Sequence, residues 1–246
     1  MLLPIACSVE SWPDDSLMLN IAKENNFSET AFTKENQDGT FDLRWFTPSG
    51  EIDFCGHATL ATAFVIFNYL KVEINEIVFH TRFKGNFTAT KSEKGISMDF
   101  PKFALNRIEV NQEMENAFGI RPVEAYKDRD VLCVFDDEKL IHEMRPGRED
   151  LLKIGGMCVA ITAQCSGKYD CVSRVFAPDI DLYEDPVTGS THCMIAPYWS
   201  QRLGKKEIDA FQDSARGGEL FCRVEKDRVI ISGNAVLFSR SELAIR

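Results

Sequence analysis

A short pattern occurs twice in this chain, each time in the same company. Arg44-x-Phe46-x-Pro48 leads into an acidic loop, then Gly56-His57 and the apolar run Ala58 to Leu70. Arg174-x-Phe176-x-Pro178 leads into an acidic loop, then Gly189-Ser190 and the apolar run Thr191 to Leu203. One R-x-F-x-P match would carry little weight. The shared order of strand, loop, glycine and apolar helix reads as an internal duplication, which restricts the chain to folds built from two similar halves. Each run is hydrophobic around most of its circumference, so each half must enclose a helix rather than lay it on a surface.

The segments around these helices read as strands. Phe27 to Thr33 and Thr40 to Phe46 form a hairpin turned at Asp38-Gly39, with Phe41, Leu43 and Trp45 alternating against Asp42 and Arg44. An earlier surface helix is marked by Asp14-Asp15 and by apolar Leu17, Met18, Ile21 and Ala22. After the first buried helix, Gly85 and the turn Ser92-Glu93-Lys94-Gly95 set off Phe87 to Thr90 from Ile96 to Phe100. The second half repeats the plan with a short helix near Gln112 to Phe118 and strands near Val131 to Phe135, Met157 to Thr162 and Cys171 to Phe176. It closes with strands at Leu220 to Val224, Val229 to Ser232 and Ala235 to Phe238. Pro101 ends the first half, which places the half-domains at 1–104 and 105–246, the last strand being free to return to the first half. The expected class is α+β: two pseudo-symmetric half-domains, each a mixed β-sheet or barrel wrapped around a central buried helix.

This plan brings two helix N-termini to the junction of the halves. Unpaired N–H groups and the positive dipole ends at Gly56 and at Gly189-Ser190 would form a pocket for a small anion, even in a chain of net charge −10. That charge, with no basic run to offset it, excludes nucleic acid and anionic membrane as partners. The longest strongly apolar stretch, Ala58 to Phe67, falls short of the roughly 20 residues a membrane span needs. Met1 to Cys7 is apolar but lacks the positive leader of a signal peptide. Eight scattered cysteines without a C-x-x-C point to a reduced, cytoplasmic protein with no structural zinc.

Three segments then carry a resemblance: Phe27-Ser28-Glu29-Thr30, Asp53-Phe54-Cys55-Gly56-His57-Ala58-Thr59 and Glu184-Asp185-Pro186-Val187-Thr188-Gly189-Ser190. Together they resemble the signatures of the PhzF-like family of phenazine biosynthesis, whose fold is that of diaminopimelate epimerase, and the likeness covers most of the chain in order. The resemblance implies a cleft between the half-domains, homodimers, and a cofactor-independent isomerase that uses neither a metal nor an organic cofactor. It implies a proton moved on a small carboxylic acid, cyclic and hydroxyanthranilate-like in the characterised isomerase of the family. In that scheme Glu29 shuttles the proton as general acid and base. His57, Asp185 and Ser190 bind and polarise the substrate beside it, and Ser28, Cys55, Gly56, Thr188 and Gly189 line the same place.

The chemistry of these residues sets further expectations. A carboxylate that is first base and then acid works best when burial raises its pKa toward the operating pH, which is expected of Glu29 on its strand. His57, at a helix start, is expected to be neutral because the dipole disfavours imidazolium. Asp185, just ahead of a helix, has the place of a cap as well as of a ligand group. Related epimerases and proline racemases use two thiols, one at the start of each central helix. Cys55 stands at the first such place and Thr188 at the second, and a hydroxyl is too weak a base to replace a thiolate. Two alternatives stay open: a non-catalytic small-acid-binding or regulatory protein, and, as the weaker one, a Cys55-based epimerase. Family chains begin with a strand and a Phe-x-Gly-Asn-Pro stretch, whereas Met1 to Val9 corresponds to the strand that would follow. An unpaired strand edge in the first half is therefore expected, and with it a site that closes less fully.

Overall fold

The computed structural model describes residues 5–178 and 182–243. The first half runs β1 (Ile5–Ser8), α1 (Asp15–Asn25), β2 (Thr30–Glu35), β3 (Phe41–Thr47), β4 (Gly50–Ile52), α2 (Gly56–Val65), β5 (Glu76–Thr81), β6 (Gly85–Ser92) and β7 (Gly95–Pro101). The second runs β8 (Asn106–Ile108), α3 (Gln112–Phe118), β9 (Glu124–Lys127), β10 (Val131–Val134), α4 (Glu138–Glu143), α5 (Arg148–Ile154), β11 (Val159–Gln164), β12 (Cys171–Ala177), β13 (Leu182–Asp185), α6 (Gly189–Leu203), β14 (Glu207–Gln212), β15 (Gly218–Val224) and β16 (Arg228–Gly233).

The duplication reappears in the strand registers. In the β2–β3 hairpin Arg44 faces Phe32 and Phe46 faces Thr30, and in the antiparallel β11–β12 pair Arg174 faces Ile161 and Phe176 faces Val159. β1 runs parallel to β2 as β10 does to β11, and β5 runs parallel to β3 as β14 does to β12. One path links them in the order β1-β2-β3-β5-β6-β7-β16-β15-β14-β12-β11-β10-β9-β8, with β4 on β3 and β13 on β12. At its centre β7 and β16 pair antiparallel, Met98 opposite Ile231, so a pseudo-two-fold axis at that pair exchanges the halves.

The repeated arginine has one job in both places. Arg44 donates a fork to Glu51 (2.8 Å and 2.8 Å) with its guanidinium over the Phe46 ring. Arg174 donates a fork to Glu184 (2.7 Å and 2.9 Å) with its guanidinium over Phe176. Each acidic segment is thereby folded back onto the strand it follows, which aims the next residues at the start of the central helix.

Those helices sit against a shared core. Trp45, Phe54, Phe79, Phe87 and Phe100 are buried, and Phe54 lies 5.0 Å from Phe100 and 5.2 Å from Phe87 between ring centroids. Each such side chain contributes about 1.5–3 kcal/mol through burial. α6 is enclosed from Gly189 to Trp199 even though it contains Pro197. Proline has no N–H for the carbonyl four residues back. That carbonyl, on Cys193, instead accepts the N–H of Phe103 (3.0 Å) from the link between the halves, so the defect in one helix ties the two halves together.

The first helix differs from its expectation. α2 ends at Val65 and continues as a π-helical turn over Ile66–Leu70, and it is not enclosed all round. Leu60, Ala61, Phe64 and Val65 are half-buried and line a cavity of about 860 Å³. The physical reason is the edge of β1, which pairs with β2 alone among the described residues and leaves no strand to cover that face. The strand expected at Ala235 to Phe238 is absent: residues 234–243 have no regular structure, because no described strand lies beside them to complete a ladder. Met1 to Pro4, expected in the first strand, and residues 179–181 of the second acidic loop lie outside the described residues. All eight cysteines are free thiols, and among the described residues no helix is long and apolar enough to cross a membrane.

Candidate active site

Both central helices begin at a glycine, and the two glycines nearly touch. A Cβ added to Gly56 would lie 3.3 Å from the Gly189 Cα, and one added to Gly189 would lie 3.5 Å from the Gly56 Cα. Space, rather than a left-handed backbone, is what requires glycine here. Cys55 and Thr188 are the N-caps of α2 and α6, and neither side chain caps its helix, so the first-turn N–H groups stay available. Two positive helix ends therefore converge on one point, as the duplication implied.

Glu29 reaches that point from the other side. α1 stops at Asn26, whose φ of 50° lets the chain reverse, and Glu29 precedes β2 by one residue instead of lying within a strand. It is 5% exposed. Its Oε2 lies 2.5 Å from His57 Nε2, and the same nitrogen lies 3.7 Å from Cys55 Sγ. Burial alone would raise the Glu29 pKa, but the charge of His57 and its hydrogen bond overcome this and hold the carboxyl below its ordinary value. For His57 burial works against the charged ring, and the Cys55 sulfur and Glu29 carboxylate outweigh it, so its pKa stands well above the ordinary value. Both expectations are thereby corrected: the pair is carboxylate and imidazolium, because proximity outweighs burial for Glu29 and the helix dipole for His57. Burial, with the Glu29 charge added, pushes the Cys55 thiol up.

Asp185 lies at the end of β13, 7% exposed. It does not cap α6 directly. Its Oδ2 accepts the Thr188 hydroxyl (2.7 Å), while its Oδ1 is buried without a hydrogen-bond partner among the described residues, and burial raises its pKa with the charge of His57 opposing. Ser190 is buried in the first turn of α6, and the buried Ser28 hydroxyl lies beside the Glu29 carboxylate. The loop from Asp185 to Thr188 is held by Gln212, which the sequence reading missed. Its Oε1 accepts the Thr188 N–H (2.7 Å), and its Nε2 donates to the Asp185 carbonyl (2.5 Å) and to the Thr188 hydroxyl (3.2 Å). The available signal was small: Gln212 continues the buried face set by Ile208 and Ala210 in an alternating strand. His192 accompanies this network, fully buried and neutral, with a pKa that burial lowers to about 4.

Glu29, Cys55 and His57 also offer an oxygen, a sulfur and a nitrogen within 4.8 Å of one another, a spacing a metal ion could use. A cation there would need the Cys55 thiolate and would face two positive helix ends, and both requirements oppose it. The arrangement is suited to an anion. It places an imidazolium, two helix N-termini and a buried carboxylate around one spot.

Comparison with known proteins agrees with this geometry. The family model described as phenazine biosynthesis-like protein matches residues 6–241. An uncharacterized isomerase of Pseudomonas aeruginosa is 43% identical over 237 residues, covering 96% of this chain and 90% of the relative. A crystal structure of a phenazine biosynthesis PhzF family protein from Enterococcus faecalis superposes with a TM-score of 0.90 at 43% identity, covering 95% of this chain and 89% of that one. A hydroxyproline epimerase from Agrobacterium vitis shares the fold at a TM-score of 0.57 and 10% identity, covering 87% of this chain and 75% of that one. The two-half α+β class expected from the duplication and the epimerase-like fold implied by the resemblance are the ones found.

Proposed function

The chain belongs to the phenazine biosynthesis-like family, and on that premise we propose that it is an isomerase that moves a proton on a small carboxylic acid, with Glu29 as acid and base. The observation that carries this reading is the Glu29–His57 contact of 2.5 Å beside the paired helix starts at Gly56 and Gly189. A substrate carboxylate fits the amides of Gly56, Gly189 and Ser190, with the His57 imidazolium adding a positive charge. Glu29, held as a carboxylate, takes a proton from a neighbouring carbon, and the C–H electron pair passes into conjugation toward the bound acid. The helix ends and His57 stabilise the negative charge that develops. When His57 turns its N–H to the substrate, Glu29 loses the contact that holds its pKa down. Burial then favours the neutral acid, which returns the proton at a second carbon. Nothing is oxidised, and the proton is conserved.

The remaining groups support this reading. Asp185 Oδ1 has an unused hydrogen-bonding capacity for a hydroxyl or amino group of the substrate. Cys55, kept as a thiol by burial, makes a poor base, and Thr188 holds the matching place in the other half, so a two-thiol racemisation is disfavoured. Incubating the protein in D₂O with cyclic hydroxy acids such as a dihydro-hydroxyanthranilate, and following carbon-bound deuterium by NMR, tests the proposal. Wild-type protein should exchange, and Glu29→Gln should slow exchange by about 10²–10⁴-fold. Exchange undiminished in Glu29→Gln would remove Glu29 as the base, and tight binding without exchange would favour a small-acid-binding protein instead.

A further inference from the structure

A pair of charged side chains lies behind the two helix starts and belongs to neither helix. It sits on the loop between β9 and β10, residues 128–130, which is anchored on both sides. Asp128 Oδ2 accepts the N–H of Ala104 (2.6 Å) in the link between the halves, and the Arg129 carbonyl accepts the N–H of Met157 (3.1 Å) ahead of β11. From this loop Asp130 and Arg129 reach different helices. Asp130 is fully buried, and its Oδ2 accepts the hydroxyl of Thr191 (2.7 Å), the residue after Gly189-Ser190 in the first turn of α6. The Arg129 guanidinium lies 5.9 Å from the centre of the Phe54 ring, and Phe54 immediately precedes Cys55-Gly56 at the start of α2. One anchored loop of the second half therefore touches both helix starts.

As a stabilising device the pair is poor. Asp130 Oδ2 lies 4.0 Å from Arg129 Nη1, too far for a hydrogen bond, and the buried Nε and Nη1 of Arg129 have no hydrogen-bond partner among the described residues. Burial raises the Asp130 pKa, with the Arg129 charge opposing. A buried pair in such geometry recovers little of the cost of desolvating two charges, and apolar residues of similar size would serve stability as well or better. The contact is also not a product of the duplication, because Ala58 stands in the first half where Thr191 stands in the second. Polar groups that cost stability belong where function needs them. We propose that Arg129 and Asp130 are positioning residues that set the gap between the two helix starts. Asp130 fixes the first turn of α6 through Thr191, and Arg129 braces Phe54 ahead of α2. The loop they share keeps the amides of Gly56, Gly189 and Ser190 aimed at one point. The inference rests on the reading of the paired helix starts as a carboxylate pocket, and it does not depend on the choice of Glu29 as the base.

Calorimetric titration of the full chain with benzoate as the probe carboxylate, together with amide NMR spectra of the same samples, tests it. Thr191→Val keeps the side-chain shape and removes the hydroxyl. It should raise the Kd for benzoate by about 10-fold and shift the Gly56 amide, which lies on the other helix and in the other half. Thr191→Ser keeps the hydroxyl and should stay close to wild type in both readouts. The double variant Arg129→Met, Asp130→Leu should unfold at or above the wild-type midpoint and yet bind benzoate more weakly, a combination that a purely stabilising pair would not give. Unchanged benzoate affinity in Thr191→Val would overturn the proposal, as would a Gly56 amide that does not move. A double variant that loses midpoint while keeping the affinity would also overturn it, leaving the pair as ordinary scaffold. Should the double variant fail to fold, the contrast between Thr191→Val and Thr191→Ser decides. A wild type that binds no benzoate would count against the carboxylate pocket itself, and the Gly56 shift in Thr191→Val then decides whether the loop sets the gap.

Discussion

Replacing Gln212 by leucine tests whether one buried amide positions the second half of the site. The two side chains are close in volume, so little cavity is made, and the change acts through hydrogen bonds. Gln212 is fully buried and engages the Thr188 N–H, the Asp185 carbonyl and the Thr188 hydroxyl. The hydroxyl keeps its bond to Asp185 Oδ2, but the N–H and the carbonyl are left buried and unpaired. Each orphaned group costs about 1–3 kcal/mol, and the leucine recovers part of this because no amide must be desolvated, so the net loss is about 2–4 kcal/mol. For a chain of this size each kcal/mol lowers the unfolding midpoint by roughly 2–4 °C, so a fall of roughly 4–16 °C is expected in differential scanning calorimetry. A double-mutant cycle with Thr188→Ala should give a coupling of about 0.5–3 kcal/mol. A loss below about 0.5 kcal/mol, the range of an ordinary surface change, would refute the claim that Gln212 holds the loop from Asp185 to Thr188.

Three further outcomes follow from the same geometry. His57, raised above 6.5, adds stability that is complete below that pH and is lost as pH rises through its folded pKa, whereas Glu29, lowered below 4.5, adds stability above that pH that is lost as pH falls through its own. The stability gap between wild type and Glu29→Gln in urea titrations should therefore be widest between these two values and shrink on either side, and a gap that widens in acid would contradict the pair. Arg174→Met should cost about 3–5 kcal/mol and Arg44→Met distinctly less by chemical denaturation. Arg174 is the more buried of the two and also donates to the Met144 and Ile141 carbonyls, whereas Glu51 keeps Arg82 as a partner when Arg44 is removed. Gly56→Val should separate the helix starts and weaken binding of a small carboxylate, measured by calorimetric titration, more than Gly56→Ala, whose Cβ meets Gly189 at 3.3 Å.

The legible and illegible parts of this molecule divide along chain distance. The hairpin of Phe41 to Trp45, the apolar helices and the turn glycines are written in residues a few positions apart, where side-chain period and backbone freedom act. β14 was missed because only Ile208 and Ala210 mark its buried face before Gln212 breaks the pattern, and α4 and α5 are too short for a helical period to show. The strand expected at Ala235 to Phe238 has the right residues, but a strand is a property of two segments and its neighbour is not in place.

The sequence by itself determined that the chain is a duplicated α+β molecule, with Cys55-Gly56-His57 at one helix start and Thr188-Gly189-Ser190 at the other. Only the tertiary structure decided the charges on Glu29 and His57, because these follow from a 2.5 Å approach between residues on different elements. The same holds for Gln212 and for the loop of Arg129 and Asp130 behind the helix starts. Hydrogen bonding, electrostatic coupling and ladder pairing act through space, and space is set by the registers of the whole sheet.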